Sequence, residues 1–253
     1  MHIRQLLVVI VLILAGCQTN SKKKVDLNPV KEPLETNGTD LWARTINEHP
    51  DSLDQLYLPE AIKIEPSGKV LTETATFVSS LRRFEGIASV RTKEEVIAND
   101  DFMYEIGAFK TTQNETYKHL LIRDRKSYKR LLEIIAASNT VSDPLAAIDK
   151  KRDEWVRLCN LHRVDSLVDQ LYMQDAIYYN HQPVVIGREK IIETYSYMHR
   201  DTYNLNLTPL VVEPVHENLV FEIGQCSGSY NGKYIIVWKA TDEGWQILLD
   251  SNI

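Results

Sequence analysis

The chain has 253 residues, of which 43% are hydrophobic and 25% are charged, and its formal net charge is −6 at pH 7. This acidic balance argues against a nucleic-acid-binding protein, which needs a basic surface. The length leaves room for more than one domain with its own hydrophobic core.

The N-terminal residues predict a bacterial export signal rather than part of the fold. A basic start precedes an apolar run over residues 6–14, which is too short to cross a bilayer as a helix. Leu14-Ala15-Gly16-Cys17 resembles the bacterial lipobox, whose cysteine carries lipid and becomes the mature N-terminus. We therefore expect residues 1–16 to be a lipoprotein signal peptide and Cys17 to anchor the chain in the membrane.

Residues 17–37 predict a disordered tether, because lysines and prolines leave too few apolar residues to order the segment. Gln18 follows the expected lipid anchor, with no acidic cluster directly after it. This resembles the sorting pattern of lipoproteins of the outer membrane. The sequence therefore predicts a cell-envelope protein on the outer membrane, facing the periplasm.

One phrase occurs twice in the chain and predicts two copies of one folding unit. Asp51-Ser52-Leu53-Asp54-Gln55-Leu56-Tyr57 leads to Ala61-Ile62, and Asp165-Ser166-Leu167-Val168-Asp169-Gln170-Leu171-Tyr172 leads to Ala176-Ile177. The same order continues in Trp42 with Trp155, Glu105-Ile106-Gly107 with Glu222-Ile223-Gly224, Tyr117 with Tyr234, and Glu133 with Asp250. We assign one domain to residues 38–138 and one to 146–253, joined by a linker over 139–145.

In the first copy, hydrophobic periodicity and turn residues predict three helices and then an antiparallel meander. The helices are expected over 41–48, 52–57 and 72–84, and the strands over 61–65, 87–98, 102–111, 117–123 and 128–135. Asp51 stands where a carboxylate would cap the second helix.

The second copy repeats this order, with Asp165 in the capping position. Its helices are expected over 146–161, 166–172 and 187–199, and its strands over 176–180, 203–213, 219–230, 233–241 and 244–250. Cys159 falls on an apolar helical stripe, which favours buried free thiols, although a disulfide between Cys159 and Cys226 stays open. The sequence contains no metal-ligand cluster and no phosphate or dinucleotide motif, so we expect no metal and no cofactor.

A pattern resembling the NTF2-like superfamily (SnoaL-like, DUF4440-type) is carried by Trp155, Asp165, Leu171-Tyr172, Asp175-Ala176-Ile177, Gly187 and Gly244-Trp245-Gln246-Ile247. The first copy departs from it by having Tyr128 where Gly-Trp is expected. The resemblance implies an α+β fold with two cone-shaped domains, each a curved antiparallel sheet wrapped around helices, with a pocket at the wide end. It also implies packing through the sheets, as a pseudo-dimer within the chain or as a homodimer.

The superfamily includes ketosteroid isomerases, dehydratases, cyclases and non-catalytic members, so the resemblance does not decide the function. Glu65, before Pro66, takes the place of the general base of the isomerase branch. The tyrosine and the second acid of that branch are missing from the corresponding positions. His181 in the second copy is the other candidate for acid–base chemistry.

A polar-aromatic set in the second copy predicts a site for a small apolar or aromatic molecule. Its members are Tyr178, Asn180, His181, Tyr195, Tyr197 and Trp238. The alternative is that the tyrosines are core residues and the histidine lies in an exposed turn. Any specific activity is expected where the copies diverge after the repeated phrase, at Ile64-Glu65-Pro66 and Tyr179-Asn180-His181.

The repeated carboxylates are expected to serve the fold, with Glu222 holding a cross-strand Arg or Lys. The favoured function is a lipid-anchored envelope protein without catalysis, which binds a small molecule or a protein partner. The alternatives are an isomerase, lyase or cyclase acting in the pocket of the second domain, or a structural scaffold.

Overall fold

A computed structural model describes residues 37–84, 86–139, 144–181 and 183–253. The predicted signal peptide, Cys17 and all but the last residue of the predicted tether lie outside these ranges, as does most of the predicted linker. Within the part of the chain that is described, no helix is long and apolar enough to cross a membrane.

The first copy consists of three short helices and six strands. The helices are α1 (Asn37–Glu48), the 3₁₀ helix η1 (Pro50–Leu56) and α2 (Thr74–Leu81). The strands are β1 (Tyr57–Ile64), β2 (Val70–Leu71), β3 (Ile87–Ile97), β4 (Phe102–Thr111), β5 (Thr116–Asp124) and β6 (Arg130–Ala137).

The second copy has the same order of elements, with one additional 3₁₀ helix after its third helix. Its helices are α3 (Leu145–Asn160), α4 (Val164–Leu171), α5 (Arg188–Thr194) and the 3₁₀ helix η2 (Tyr195–His199). Its strands are β7 (Tyr172–Tyr179), β8 (Val185–Ile186), β9 (Leu205–His216), β10 (Leu219–Gly228), β11 (Lys233–Thr241) and β12 (Gly244–Ser251).

The two sheets have the same strand order, which confirms the predicted α+β fold with two copies of one unit. The orders are β2-β1-β6-β5-β4-β3 and β8-β7-β12-β11-β10-β9. Each sheet is mixed rather than purely antiparallel, because its first long strand pairs in parallel with its last. Register shifts interrupt several pairs, and such bulges bend a strand and increase its twist.

The predicted helix caps are wrong. The N-cap residues of η1 and α4 are His49 and Arg163, and neither makes a side-chain capping bond. Asp51 instead accepts a hydrogen bond from Arg82 Nη2 at 2.5 Å. Both helices start before the predicted aspartate position, η1 with Pro50 in its first turn, where proline needs no hydrogen-bond partner.

Each sheet packs one face on its own helices and the other face on the sheet of the other copy. The shared core between the sheets contains Ile64 and Leu120 of the first copy with Phe221 and Leu249 of the second. Polar contacts also join the copies, since the Tyr104 hydroxyl accepts a hydrogen bond from the Ile253 backbone N–H at 3.1 Å. The repeats are therefore packed through their sheets within one chain, the pseudo-dimer arrangement that the resemblance implied.

Candidate functional site

The repeated Glu-Ile-Gly motif places an aromatic side chain over a glycine and onto a buried carboxylate. A Cβ on Gly224 would lie 2.1 Å from Cζ of Tyr234, the residue paired with it across the sheet. Because Gly224 has no Cβ, the Tyr234 ring crosses it and donates its hydroxyl proton to Glu222 Oε1 at 2.7 Å. The glycine thus makes the hydrogen bond possible.

The first copy uses the same device with a histidine. A Cβ on Gly107 would lie 2.4 Å from Nε2 of His119, and this nitrogen lies 3.0 Å from Glu105 Oε1. His119 is therefore the counterpart of Tyr234, and the expected correspondence of Tyr117 with Tyr234 is wrong.

Glu222 is a fully buried carboxylate that is neutralised from a helix. Arg152 of α3 donates from Nε at 2.6 Å and from Nη2 at 2.9 Å, so the predicted cross-strand cation is wrong. Trp238, predicted to contact a ligand, is 0% exposed, and its Nε1 donates to Glu222 Oε2 at 2.8 Å. The structure places Trp238 in this buried cluster rather than along a cavity.

The second repeated carboxylate of the first copy, Glu133, has two cationic partners. Lys63 Nζ lies 3.2 Å from its Oε1, and Arg130 Nη1 lies 2.7 Å from its Oε2. The Tyr57 hydroxyl donates to Oε2 at 2.5 Å. Burial alone would raise the pKa of Glu133, but the charges of Lys63 and Arg130 outweigh burial and lower it to about 2.

Asp250 occupies the same place in the second copy and has no cationic partner among the described residues. Tyr172 and Tyr195 donate their hydroxyl protons to Oδ2 at 2.6 and 2.5 Å. Tyr178 is paired with Asp250 in the sheet where Lys63 is paired with Glu133. Arg130 is paired with Tyr57 in the first sheet, and at the equivalent place in the second sheet Ile247 is paired with Tyr172.

Without a neighbouring cation, the pKa of Asp250 is raised. Burial is the main cause, and the charge of Glu222 adds to it, while the bonds from Tyr172 and Tyr195 act in the opposite direction. Both phenol bonds go to Oδ2, and no described residue donates to Oδ1. Oδ1 of this carboxylate, whose residue is 6% exposed, thus has no hydrogen-bond donor among the described residues.

Asp250 lines a narrow inner chamber of about 30 Å³ in the second copy. Next to it, an outer groove of about 620 Å³ opens to the surface. The two share four lining residues, Tyr197, Tyr203, Tyr230 and Asn252. The chamber and the groove are therefore neighbours with an aromatic wall in common, and Asp250 lines the chamber.

Aromatic side chains fill the corresponding interior of the first copy. Phe109 stacks on Tyr117 with ring centroids 5.2 Å apart, and the edges of Trp42 and Phe84 pack on Phe109 at 5.1 Å each. A groove of about 450 Å³ in this copy lies along α1, η1 and the turn before β6. The two copies thus differ in both the charge and the filling of their interiors.

Four of the predicted ligand-binding residues line the site, and the candidate bases do not. Tyr195 and Tyr197 line the inner chamber, and Tyr178, Asn180 and Tyr197 line the groove. His181 is exposed, with Nδ1 2.9 Å from Asn180 Oδ1 and its ring 6.1 Å from that of Phe102 in the first copy. His181 is not among the residues that line the chamber or the groove.

Glu65 is half-buried in the turn between β1 and β2, where its backbone N–H donates to Lys69 O at 2.9 Å. It does not line the cavity of the second copy. The sequence reasoning missed Asp250, which it interpreted as a fold residue. The available signal was the loss of Lys63 and Arg130 at the matching positions of the second copy.

Both Cys159 and Cys226 are buried free thiols, as the sequence favoured. Burial raises the pKa of each to about 12, so neither is a ready nucleophile. Within the described ranges, no group of His, Cys, Asp and Glu side chains could hold a metal ion.

Comparison with known proteins shows similarity at the level of structure alone. No family profile matches the sequence, and no curated protein matches it. An NTF-2 like protein of unknown function from Shewanella oneidensis is 12% identical, covers 43% of this chain and 98% of its own, and has a TM-score of 0.40. A ketosteroid isomerase-like protein from Erwinia carotovora is 14% identical over 44% of this chain and 95% of its own, with a TM-score of 0.37. An NTF2-like protein of unknown function from Pseudomonas putida is 10% identical, covers 44% of this chain and 87% of its own, and also has a TM-score of 0.37.

Proposed function

We propose that this chain is a lipid-anchored protein of the bacterial cell envelope whose second copy binds a small apolar or aromatic molecule. The observation that carries the binding proposal is Asp250, a buried carboxylate without a cation at the inner end of an aromatic cavity. Glu133, its counterpart in the first copy, is instead neutralised by Lys63 and Arg130.

An unpaired buried charge has a cost in free energy. Taking a carboxylate out of water costs several kcal/mol unless cations and hydrogen bonds compensate. The first copy compensates with Lys63 and Arg130, whereas Asp250 of the second copy lines a cavity and has no cationic partner among the described residues. A few polar groups that converge in an apolar pocket are typical of a small-molecule site.

The test uses indole as the probe and the full chain carrying Cys17→Ser, which has no cysteine at position 17 to receive a lipid. We expect indole to shift the amide NMR resonances of Tyr203 and Asn252, which line the site. Tyr117, which is half-buried and stacks on Phe109 in the first copy, serves as the matched control and should not shift. Equal shifts in both copies, or none in the second, would contradict the proposal.

The anchoring proposal is supported by the sequence Leu14-Ala15-Gly16-Cys17 and is tested separately. In bacteria, the full chain should appear in the membrane fraction, and globomycin should cause the unprocessed precursor to accumulate. Cys17→Ser should remain unprocessed without the inhibitor. A Cys17→Ser protein that is processed and fractionates as the wild type does would refute lipid attachment.

The alternative function is an isomerase, lyase or cyclase, and the raised pKa of Asp250 is the observation in its favour. A carboxyl group whose pKa is raised is a stronger base than an ordinary carboxylate and is suited to taking and returning a proton. An enzyme would convert a bound molecule, and a binding protein would release it unchanged. Mass spectrometry of the recovered ligand, with Asp250→Asn as the control, distinguishes the two.

A further inference from the structure

We infer that the molecule bound in this cavity carries an ammonium group, which binds Asp250 as Lys63 binds Glu133. The inference rests on the proposed binding function and names the class of its ligand, a small organic amine. Four features of the described residues support it.

The first feature is the matched register of the two sheets. Lys63 is paired with Glu133, and Tyr178 is paired with Asp250. Lys63 brings its ammonium to 3.2 Å from the carboxylate, whereas Tyr178 directs its hydroxyl to Asn252 Oδ1 at 2.9 Å. In the first copy the fold thus places an ammonium beside this carboxylate, and no described side chain of the second copy provides one.

The second feature is the size of the inner chamber. Its volume of about 30 Å³ exceeds the roughly 10–15 Å³ that a cavity needs to hold one water molecule. An ammonium group is close to water in size and donates three hydrogen bonds. The chamber thus fits the charged head of an amine, and the outer groove of about 620 Å³ can take its organic part.

The third feature is the aromatic wall, which suits a cation. Tyr195 packs on Tyr197 with ring centroids 6.3 Å apart, and Tyr197 packs on Tyr203 at 5.3 Å. The faces of such rings attract a nearby cation, and the attraction increases when water is excluded. A neutral ligand would gain less from the same walls.

The fourth feature is the charge balance around Asp250. Among the described residues, the other acid of the interior is Glu222, which Arg152 already neutralises through two hydrogen bonds. The groups that touch Asp250 are the neutral hydroxyls of Tyr172 and Tyr195. An ammonium would supply the missing charge and a strong charge-assisted hydrogen bond.

The experiment compares benzylamine with benzyl alcohol, which has nearly the same shape and no charge, by isothermal titration calorimetry at pH 7 on the full chain with Cys17→Ser. We expect benzylamine to bind at least tenfold more tightly than the alcohol. Asp250→Asn keeps an acceptor for both tyrosines. In this variant the affinity for benzylamine should fall at least tenfold, and the affinity for benzyl alcohol should fall less than twofold.

The outcomes separate this inference from the proposed function. Equal affinity of the wild type for both probes would overturn the ammonium assignment and leave the small-molecule site standing. Binding of neither probe would overturn both. A benzylamine affinity that Asp250→Asn leaves unchanged would also refute the contact with Asp250.

A second variant tests the analogy with the first copy directly. Tyr178→Lys introduces an ammonium at the position of Lys63 and should abolish benzylamine binding while leaving thermal stability equal or higher. The retained stability shows that the variant folds. Benzylamine binding as tight as in the wild type would refute the inference.

Discussion

The unpaired carboxylate of Asp250 predicts an unusual dependence of stability on pH. Burial raises its pKa in the folded protein above the value of about 3.9 for an aspartate in an unfolded chain. The folded protein therefore keeps this proton to a higher pH than the unfolded chain does. The contribution of protonated Asp250 to stability is complete below about pH 3.9. It is lost as the pH rises through the pKa of Asp250 in the folded protein.

Asp250→Asn isolates this effect, because asparagine does not titrate and its carbonyl oxygen can still accept from Tyr172 and Tyr195. The free energy of unfolding of the wild type, minus that of the variant, should fall by about 1.4 kcal/mol per pH unit between the two pKa values. Above the folded pKa the difference should be constant. Urea denaturation followed by tryptophan fluorescence, from pH 3 to 8, measures it.

Glu133→Gln is the matched control and should give the opposite sign. The pKa of Glu133 is lowered to about 2, against about 4.3 in an unfolded chain. The wild type should therefore gain stability relative to this variant as the pH rises from 2 to 4.3, by about 3 kcal/mol in total. Two results would show that Asp250 is not the unpaired acid. In one, the difference in unfolding free energy between wild type and variant rises with pH for both variants. In the other, the difference for Asp250→Asn does not depend on pH.

Two further variants test the buried clusters, both by urea denaturation at pH 7. Gly224→Ala puts a Cβ 2.1 Å from the Tyr234 ring and should cost about 3 kcal/mol, because the ring must leave Glu222. Tyr234→Phe should cost much less in that background than in the wild type, and equal costs would refute the account. Lys63→Met leaves Glu133 with one cation fewer and should cost about 3–5 kcal/mol; a loss below about 1 kcal/mol would show that Arg130 alone is sufficient.

The order of the long strands along each copy and the antiparallel pairing of its last four strands could be predicted. The parallel pairing of the first strand with the last could not. Strands β4 and β11 match their predicted bounds, because a short, largely apolar segment between turn residues is typical of a buried strand. The two-residue strands β2 and β8 are too short to show a period. The parallel pairing of β1 with β6 joins distant segments, which local patterns do not encode.

The site was predicted only in part, for a related reason. Tyr195 and Tyr197 could be chosen as polar-aromatic residues near the end of a helix, and both line the cavity. Asp250 was recognised as the repeat of Glu133, but the sequence does not show which side chains stand opposite it. That information lies in the register, where Lys63 and Tyr178 take equivalent places.

The register also moves the functional difference between the copies. The sequence pointed to Glu65 and His181, which lie in turns outside the cavity. The important difference lies in the strand that precedes each turn. Lys63 of β1 corresponds to Tyr178 of β7, and both side chains are buried. A turn residue can vary without affecting the core, whereas a change of charge beside a buried acid alters its pKa and leaves room for a ligand. The first copy of the duplicated fold thus serves as a reference for the second. Glu133 has cationic partners, and the comparison shows that Asp250 lacks them.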